Sequence, residues 1–267
     1  MPSPPAEASL TYGKYLEVES LLSLQRPRSS PAEHDEMLFI VIHQVYELWF
    51  KLLLHEGEKI RRDLFASRLF DALSSLRRMR EVLKTLVHQL DILETMTPLE
   101  FASFRARLDV ASGFQSAQFR ELEFLLGHKR PQMLAFHPTE SPAWVRLQRR
   151  LQEPSLVDAL HAFLEVRGVQ IPIEIKSRSV QDPCPPSPEL QRQLVDRYRT
   201  EHDLVLLLEA FTDIDEGIQE WRYRHVKMVE RTIGAKIGTG GSAGAAYLRN
   251  TLFAPLFPDL WAIRSSF

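Results

Sequence analysis

The chain has 267 residues, of which 44% are hydrophobic and 25% charged, and its formal net charge at pH 7 is −2. This composition excludes a disordered chain, and the lack of excess cations argues against nucleic acid as a partner. A single cysteine, Cys184, excludes an intrachain disulfide and a zinc or iron–sulfur site built from cysteines. Residues 1–10 do not resemble a secretory signal, and the apolar runs at 37–42 and 204–208 are too short for a membrane span, so we expect a cytoplasmic protein without a membrane partner.

The first part of the chain carries two helical patterns. Residues 36–57 are apolar on more than one face, which predicts a buried helix. Residues 70–94 carry leucines near helical spacing and predict a second helix. Long stretches elsewhere are rich in Leu, Glu, Arg and Gln, which is the composition of helices, and no strand-like alternation of useful length interrupts them.

Two helix starts follow from local capping signals. Residues 97–100 (TPLE) combine a capping threonine, a proline at the first helical position and a glutamate three residues after the cap. Residues 112–115 (SGFQ) form a second capping box. We expect the helix that it opens to run through Leu126 and to end at Gly127.

The second half of the chain alternates helices with irregular segments. Residues 128–142 look irregular, residues 142–161 are predicted to be helical, and residues 180–188 form a proline-rich loop. The longest predicted helix spans residues 188–233 and ends at Gly234. Because no change in composition marks a boundary, we predict one all-α domain over the whole chain, 1–267.

His225 lies on an apolar stripe of the longest helix. Ile214, Ile218 and Trp221 begin this stripe at i, i+4 and i+7 spacing, and Met228 and Val229 continue it. The simplest interpretation is a core histidine bound to a backbone carbonyl. The functional alternative is an axial ligand of haem, which requires one neutral imidazole in an apolar pocket. A non-haem metal is disfavoured because no second ligand lies three or four residues away.

His43 lies in the middle of the apolar first helix. Glu47 follows four residues later, so an intrahelical contact between the two side chains is the simplest interpretation. Half of a helical di-iron site would require the same pair on another helix, and the sequence does not contain it. The functional alternative is a histidine that faces a ligand, flanked by Phe39, Tyr46 and Phe50.

Arg105 is the most informative residue on physical grounds. It shares a predicted helix face with Phe101, Phe104 and Leu108. A guanidinium on an apolar face is costly unless it meets an anion, and its planar fork fits a carboxylate. A salt bridge within the protein, a surface arginine and the capture of a substrate carboxylate are the three alternatives.

Four of the eleven glycines lie in residues 238–244 (GTGGSAG). This segment follows a helix and lacks the lysine of a phosphate-binding loop, so it is not a nucleotide motif. It is either a linker or a mobile loop whose backbone N–H groups and the Thr239 and Ser242 hydroxyls meet an anionic ligand.

Taken together and in order, these motifs resemble the tryptophan 2,3-dioxygenase family. The resemblance extends from residue 12 to about residue 249, and its blocks in register are far more specific than any one alone. The blocks are 12–16 (YGKYL), 36–41 (EMLFIV), 43–51 (HQVYELWFK), 94–101 (ETMTPLEF) with 104–105 (FR), 112–116 (SGFQS), 225–231 (HVKMVER) and the glycine-rich segment.

The resemblance implies a helix bundle that encloses haem b, ferrous when active. His225 then corresponds to the proximal iron ligand. His43 corresponds to the distal histidine that contacts the indole N–H, without serving as an obligate base. Ser112 corresponds to a polar neighbour of the haem and the indole.

The same resemblance implies a substrate site for L-tryptophan and O₂. Arg105 corresponds to the residue that binds the substrate carboxylate, and Thr239 to one that meets the carboxylate and ammonium groups. Phe39 and Phe101 correspond to pocket walls. At the position of Phe101 the family has either tyrosine or phenylalanine.

The family resemblance also implies a homotetramer, a dimer of dimers. The N-terminal segment, residues 1–20, is expected to complete the active site of a neighbouring subunit. The contributing residues are Tyr12, Tyr15 and Leu16.

The implied reaction is insertion of O₂ across the indole C2–C3 bond of L-tryptophan to give N-formylkynurenine, the first step of tryptophan degradation through kynurenine. One alternative is a related haem oxygenase of a biosynthetic pathway that acts on a modified tryptophan or a simple indole, for example by monooxygenation of a methylindole. Another is a helical haem protein without turnover, such as a sensor. Arg105 and Thr239 favour a substrate with an amino-acid head group. The chain also looks short between residues 161 and 188.

Overall fold

The described part of the computed structural model, residues 9–238 and 244–267, consists of helices, turns and irregular segments, without a strand. The predicted all-α fold is therefore confirmed. The α-helices are α1 (Tyr12–Leu16), α2 (Val18–Leu22), α3 (His34–Phe65), α4 (Leu69–Leu93), α5 (Pro98–Arg105), α6 (Ala117–Leu125), α7 (Pro142–Gln152), α8 (Leu156–Val166), α9 (Ile173–Ser177), α10 (Pro188–Thr200), α11 (His202–Ile233), α12 (Ala245–Arg249) and α13 (Pro258–Ala262). Short 3₁₀ turns occupy Ala106–Leu108, Gly113–Gln115, Pro131–Phe136 and Ile263–Ser266.

The core lies where α4 packs against both long helices, α3 and α11. Leu53, Leu86 and Phe211, one from each of these helices, are fully or almost fully buried. α6 and α8 cover another side of α3. Gly57 allows the close approach of α6, because a Cβ atom there would lie only 2.6 Å from Cδ2 of Leu125. Burial of these apolar stripes is the main source of the bundle's stability.

By length and composition, one of the described helices, α3, is long and apolar enough to cross a membrane. The apolar run at residues 37–42 therefore belongs to a longer apolar helix than the sequence predicted. However, α3 packs against α4, α6 and α8 and carries three buried acidic residues, Glu36, Glu56 and Asp63. Each of these carboxylates accepts hydrogen bonds within the protein. These features are those of the central helix of a folded domain.

The capping signal at Thr97 is confirmed, whereas the one at Ser112 is only partly correct. Thr97 and Glu100 form a reciprocal capping box at the start of α5. Ser112 accepts a hydrogen bond from the backbone N–H of Phe114, but this opens a 3₁₀ turn, and Ser116 caps α6 instead. Two capping serines four residues apart therefore produce a turn followed by a helix.

Two predicted helices are each divided into two. The expected helix over residues 142–161 breaks at Glu153, whose backbone is extended (φ −85°, ψ 150°) because Pro154 follows it. Ser155 then caps α8 in a capping box with Asp158. The helix expected over residues 188–233 breaks at Glu201, where φ is −126° and ψ is 85°.

The N-terminal arm, residues 9–31, lies outside the core. Its helices α1 and α2 have no buried residue. The arm is attached to α3 by polar contacts: the Glu36 carboxylate accepts hydrogen bonds from the backbone N–H groups of Arg28 (2.6 Å) and Ser29 (2.9 Å) and from the Ser29 hydroxyl. Gln25 and Gln44 add a side-chain hydrogen bond of 2.5 Å. Directed bonds, not apolar burial, therefore hold the arm in place.

Candidate functional site

A cavity of about 250 Å³ lies between α3, α5, α6 and α11. Six of the residues that the sequence predicted for the site line it: Phe39, His43, Phe101, Arg105, Ser112 and His225. They come from separate segments of the chain, and the bundle brings them to one place. Thr239 lies outside the described residues, although Gly238 and Gly244 on either side line the cavity.

His225 presents a neutral and unbonded imidazole to the cavity. Burial, with smaller contributions from His43 and Arg120, lowers its pKa to about 4. The ring stacks on Trp221, with 5.0 Å between ring centroids and 6° between planes. Its nitrogens make no hydrogen bond with the described parts of the chain, so the alternative of a core histidine bound to a carbonyl is not observed. A neutral imidazole is the form that binds metals.

No group of three or more His, Cys, Asp or Glu side chains within residues 9–238 and 244–267 is arranged to hold a metal ion. A lone imidazole therefore suits a metal whose remaining ligands come from a cofactor. Haem iron is such a metal, since the porphyrin supplies four nitrogens and the protein one axial ligand. The chemistry of the donor set in this cavity fits haem.

His43 is oriented by its own helix. Its Nδ1 lies 2.7 Å from the Phe39 carbonyl oxygen one turn earlier, which assigns the proton of the neutral ring to Nδ1. Burial lowers the pKa of His43 more than the bond to Phe39 and the charge of Glu47 raise it. Nε2 then carries a lone pair and can accept a hydrogen bond from a ligand.

The predicted contact between His43 and Glu47 is not formed. Glu47 instead accepts a 2.8 Å hydrogen bond from the side chain of Gln118 on α6. The His43 ring packs against Phe39, with 4.1 Å between ring centroids. His43 therefore lines the cavity beside Phe39, and its role toward a ligand stays a prediction.

Phe39 and Phe101 form an aromatic wall of the cavity, and the fully buried Phe104 packs against both. The Phe39 ring centroid lies 5.8 Å from that of Phe101 and 5.5 Å from that of Phe104. Phe101 and Phe104 are 5.5 Å apart and nearly perpendicular. Such edge-on packing fixes the rings and leaves an apolar surface suited to a flat aromatic molecule.

Arg105 ends α5 at the edge of this wall. Its Nη2 donates a 2.6 Å hydrogen bond to the main-chain carbonyl of Ile237. Within the described residues it forms no salt bridge with a carboxylate, so the alternative of an internal ion pair is not observed. The half-buried guanidinium thus retains donors that can bind an anion from the cavity.

The cavity is also lined by part of a buried ionic cluster that the sequence did not predict. The Glu123 carboxylate accepts hydrogen bonds from Arg120 (2.7 Å), Arg130 (2.5 Å) and Arg222 (3.1 Å). Burial raises the pKa of Glu123, but the three guanidinium groups together lower it to about 2. Nε of Arg120 is buried without a hydrogen-bond partner in the described chain. One carboxylate facing three cations leaves excess positive charge beside the cavity, which suits acidic groups of a ligand.

The N-terminal residues Tyr12, Tyr15 and Leu16 are not brought to this cavity. Tyr12 is 78% exposed and Tyr15 71% exposed, and none of the three lines the cavity of its own chain. They lie on the exposed arm, and their role at the site of a neighbouring subunit stays a prediction.

The fold and the cavity define a helical protein with an internal pocket lined by phenylalanines, two histidines and arginines. A sequence model of the tryptophan 2,3-dioxygenase family matches residues 3–168 and 193–267. The chain belongs to this family, as its motifs predicted.

Individual relatives agree with the family match over nearly the whole chain. A protein of Anaeromyxobacter sp. (strain K) named tryptophan 2,3-dioxygenase is 53% identical, covering 97% of this chain and 97% of its own length. One of the same name from Herpetosiphon aurantiacus is 54% identical over 96% of this chain and 98% of its own length. Another, from Kineococcus radiotolerans, is 41% identical. Between its two matched parts, the family model leaves out residues 169–192. This segment overlaps the region between residues 161 and 188 in which the sequence looked short.

Proposed function

We propose that the protein is a haem-dependent tryptophan 2,3-dioxygenase that inserts both atoms of O₂ across the indole C2–C3 bond of L-tryptophan and releases N-formylkynurenine. Membership of the family supports this reaction. The observation that carries it in this chain is the Arg105 guanidinium, which lacks a carboxylate partner in the described residues and borders an aromatic cavity. The reaction is the first step of tryptophan catabolism through the kynurenine pathway.

Haem is held in this proposal by His225 and by the ionic cluster. The neutral His225 imidazole would hold the iron. Arg120, whose buried Nε has no hydrogen-bond partner in the described chain, and the neighbouring Arg222 would bind the acidic side chains of the cofactor. Ser112 is a polar neighbour of the haem and the indole. When bound, the haem supplies the iron chemistry that activates O₂.

The remaining residues bind and orient the substrate. Arg105 binds the carboxylate through its planar fork, and Thr239 is assigned to the head group by the family resemblance alone. Phe39 and Phe101 hold the indole ring. His43 accepts a hydrogen bond from the indole N–H through Nε2, which fixes the ring relative to the oxygen. Orientation and exclusion of water are the contributions of these side chains to the rate.

We further propose a homotetramer, arranged as a dimer of dimers, in which Tyr12, Tyr15 and Leu16 cover the site of a neighbouring subunit. Their exposure and the attachment of the arm by polar bonds support this role. We also propose that the enzyme is cytoplasmic and binds neither a membrane nor nucleic acid.

Labelled oxygen tests the reaction directly. Haem-loaded protein is reduced without oxygen and then given L-tryptophan and ¹⁸O₂, and the product is analysed by mass spectrometry. N-formylkynurenine with two heavy oxygen atoms is the expected product. A product with one heavy atom, or turnover only of indoles without a carboxylate, would favour the indole monooxygenase instead. Binding of O₂ without any product would identify a non-catalytic haem protein.

A further inference from the structure

Gly244 brings two parts of the chain into close contact at the cavity. Its φ is +57°, in the left-handed region that favours glycine. A Cβ atom at this position would lie 2.8 Å from the Lys236 carbonyl oxygen and 3.6 Å from the Gly238 nitrogen. Both neighbouring atoms belong to the backbone, so no side-chain rotation can relieve the clash.

The residue between these two neighbours is bound to Arg105. The Ile237 carbonyl accepts the 2.6 Å hydrogen bond from Nη2 of Arg105. The chain at residues 236–238 is therefore held on one side by a guanidinium and on the other by contact with Gly244. Arg105, Gly238 and Gly244 all line the cavity.

We propose that Gly244 is a positioning residue for the carboxylate-binding Arg105, acting through the main-chain carbonyl of Ile237. The inference rests on the proposed role of Arg105 in substrate binding. A guanidinium that donates one N–H to a fixed carbonyl has its plane set before the substrate arrives. The remaining donors then meet the carboxylate without the entropy cost of ordering a long side chain.

The substitution Gly244→Ala tests this link. The methyl group displaces residues 236–238, so the Ile237 carbonyl and with it the guanidinium move out of place. We expect the Kd of L-tryptophan to rise about tenfold, equivalent to ~1.4 kcal/mol, since a small misplacement weakens a bidentate bond strongly. The Kd of tryptamine, which has the same indole but no carboxylate, is expected to change less than about twofold. Calorimetric titration of the haem-loaded enzyme measures both.

Two further variants keep the test informative if Gly244→Ala folds poorly. Ile237→Gly loosens the backbone at the carbonyl without adding an atom, and it is expected to shift the tryptophan Kd about threefold in the same direction. Ile237→Ala is its matched control, because it removes the same exposed side chain but keeps an ordinary backbone. Gly168→Ala controls for left-handed strain, since Gly168 has φ +81° and lies remote from the cavity.

A double-mutant cycle separates this inference from the proposed function. In an Arg105→Met background, Gly244→Ala is expected to have no further effect on the ratio of the tryptophan and tryptamine Kd values. If Arg105→Met alone leaves that ratio unchanged, the proposed role of Arg105 fails. If Arg105→Met changes the ratio but Gly244→Ala and Ile237→Gly do not, or if they weaken both ligands equally, the positioning role of Gly244 is overturned.

Discussion

The histidines of the cavity and the ionic cluster beside them respond to burial in opposite ways. Burial keeps His43 and His225 neutral, and the pKa of His225 falls to about 4. In the ionic cluster, Glu123 stays charged despite burial, because three guanidinium groups lower its pKa to about 2. The difference is the presence of partners: a buried group without a counter-charge loses its charge, and one with several counter-charges keeps it.

The two kinds of group can bind different parts of a ligand. Neutral imidazoles can bind a metal or accept a hydrogen bond, which charged ones cannot. The excess cations of the ionic cluster can bind acidic groups that would be costly in an apolar pocket. The histidines and the ionic cluster therefore suit different parts of a ligand, and substitutions can alter each separately.

Removing the imidazole of His225 has the largest expected effect. His225→Ala is expected to abolish stable haem binding, because it removes the proposed iron ligand, and His43, the other histidine of the cavity, is assigned to the substrate. The Soret absorption of the reconstituted protein and the haem-to-protein ratio measure this, with the exposed His88→Ala as the control. Retention of the native ferric and ferrous spectra in His225→Ala would assign the metal to another residue.

In the ionic cluster, Glu123→Gln removes the carboxylate charge that Arg120, Arg130 and Arg222 share. Breaking a buried ion pair in this way costs ~3–5 kcal/mol of unfolding free energy. Urea unfolding of the haem-free protein measures the loss. Glu81→Gln serves as the control, since Glu81 is exposed and pairs with Lys84 at 3.5 Å. A loss as small as that of the control would show that the cluster contributes no more than a surface pair.

Arg105→Leu removes the guanidinium that we propose binds the substrate carboxylate. A charge-assisted hydrogen bond contributes ~1.5–3 kcal/mol, so kcat/KM for L-tryptophan is expected to fall roughly ten- to a hundredfold. Turnover of 2-methylindole, which has no carboxylate, is expected to stay unchanged. Arg107→Leu, an exposed arginine of the following turn, is the matched control. An unchanged ratio of the two activities in Arg105→Leu would support the indole oxygenase.

The smallest effect concerns His128, which lies beside the ionic cluster. Burial and the charges of Arg130, Arg222 and Arg120 outweigh Glu123 and lower its pKa to about 4. Between pH 6.5 and 4 the unfolded chain therefore binds a proton that the folded chain does not, and stability falls as the pH falls through this range. The slope attributable to His128 is about 1 kcal/mol per pH unit, below the limit for a fully buried group.

Urea unfolding at pH 7, 6 and 5 checks this slope. His128→Gln is expected to flatten it by that amount, whereas His55→Gln, at an exposed position, is expected to leave it unchanged. Equal slopes in His128→Gln and the parent protein would show that His128 titrates alike in both states.

Local signals predicted the helix starts better than the helix continuity. The capping box at Thr97 involves neighbours in sequence only, and it forms as expected. The break before Pro154 is also a local effect, but the helical pattern on both sides concealed it. At Glu201 the break coincides with ion pairs to Arg167 and Arg197. Arg167 is distant from Glu201 in sequence, and no sequence pattern predicted their ion pair.

The site was predictable only in part for the same reason. His43, Arg105 and His225 each stood out as polar residues on apolar helix faces, but spacing alone did not show that they meet. The order of the family motifs supplied that information. The contact between Arg222 and Glu123 in the ionic cluster was missed because the two residues lie 99 positions apart in the sequence. Only a folded bundle places such groups together.

The segment at residues 169–192 has a consequence for the evolution and engineering of this chain. It lines no part of the main cavity. Two polar contacts attach it to the bundle: Arg178 pairs with Asp158, and the backbone N–H of Ser187 donates a hydrogen bond to Asp259. Its tip at residues 181–183 is exposed. We expect length changes between these anchors to leave the helices of the site in place, so a reporter domain inserted at this exposed tip is expected to preserve activity.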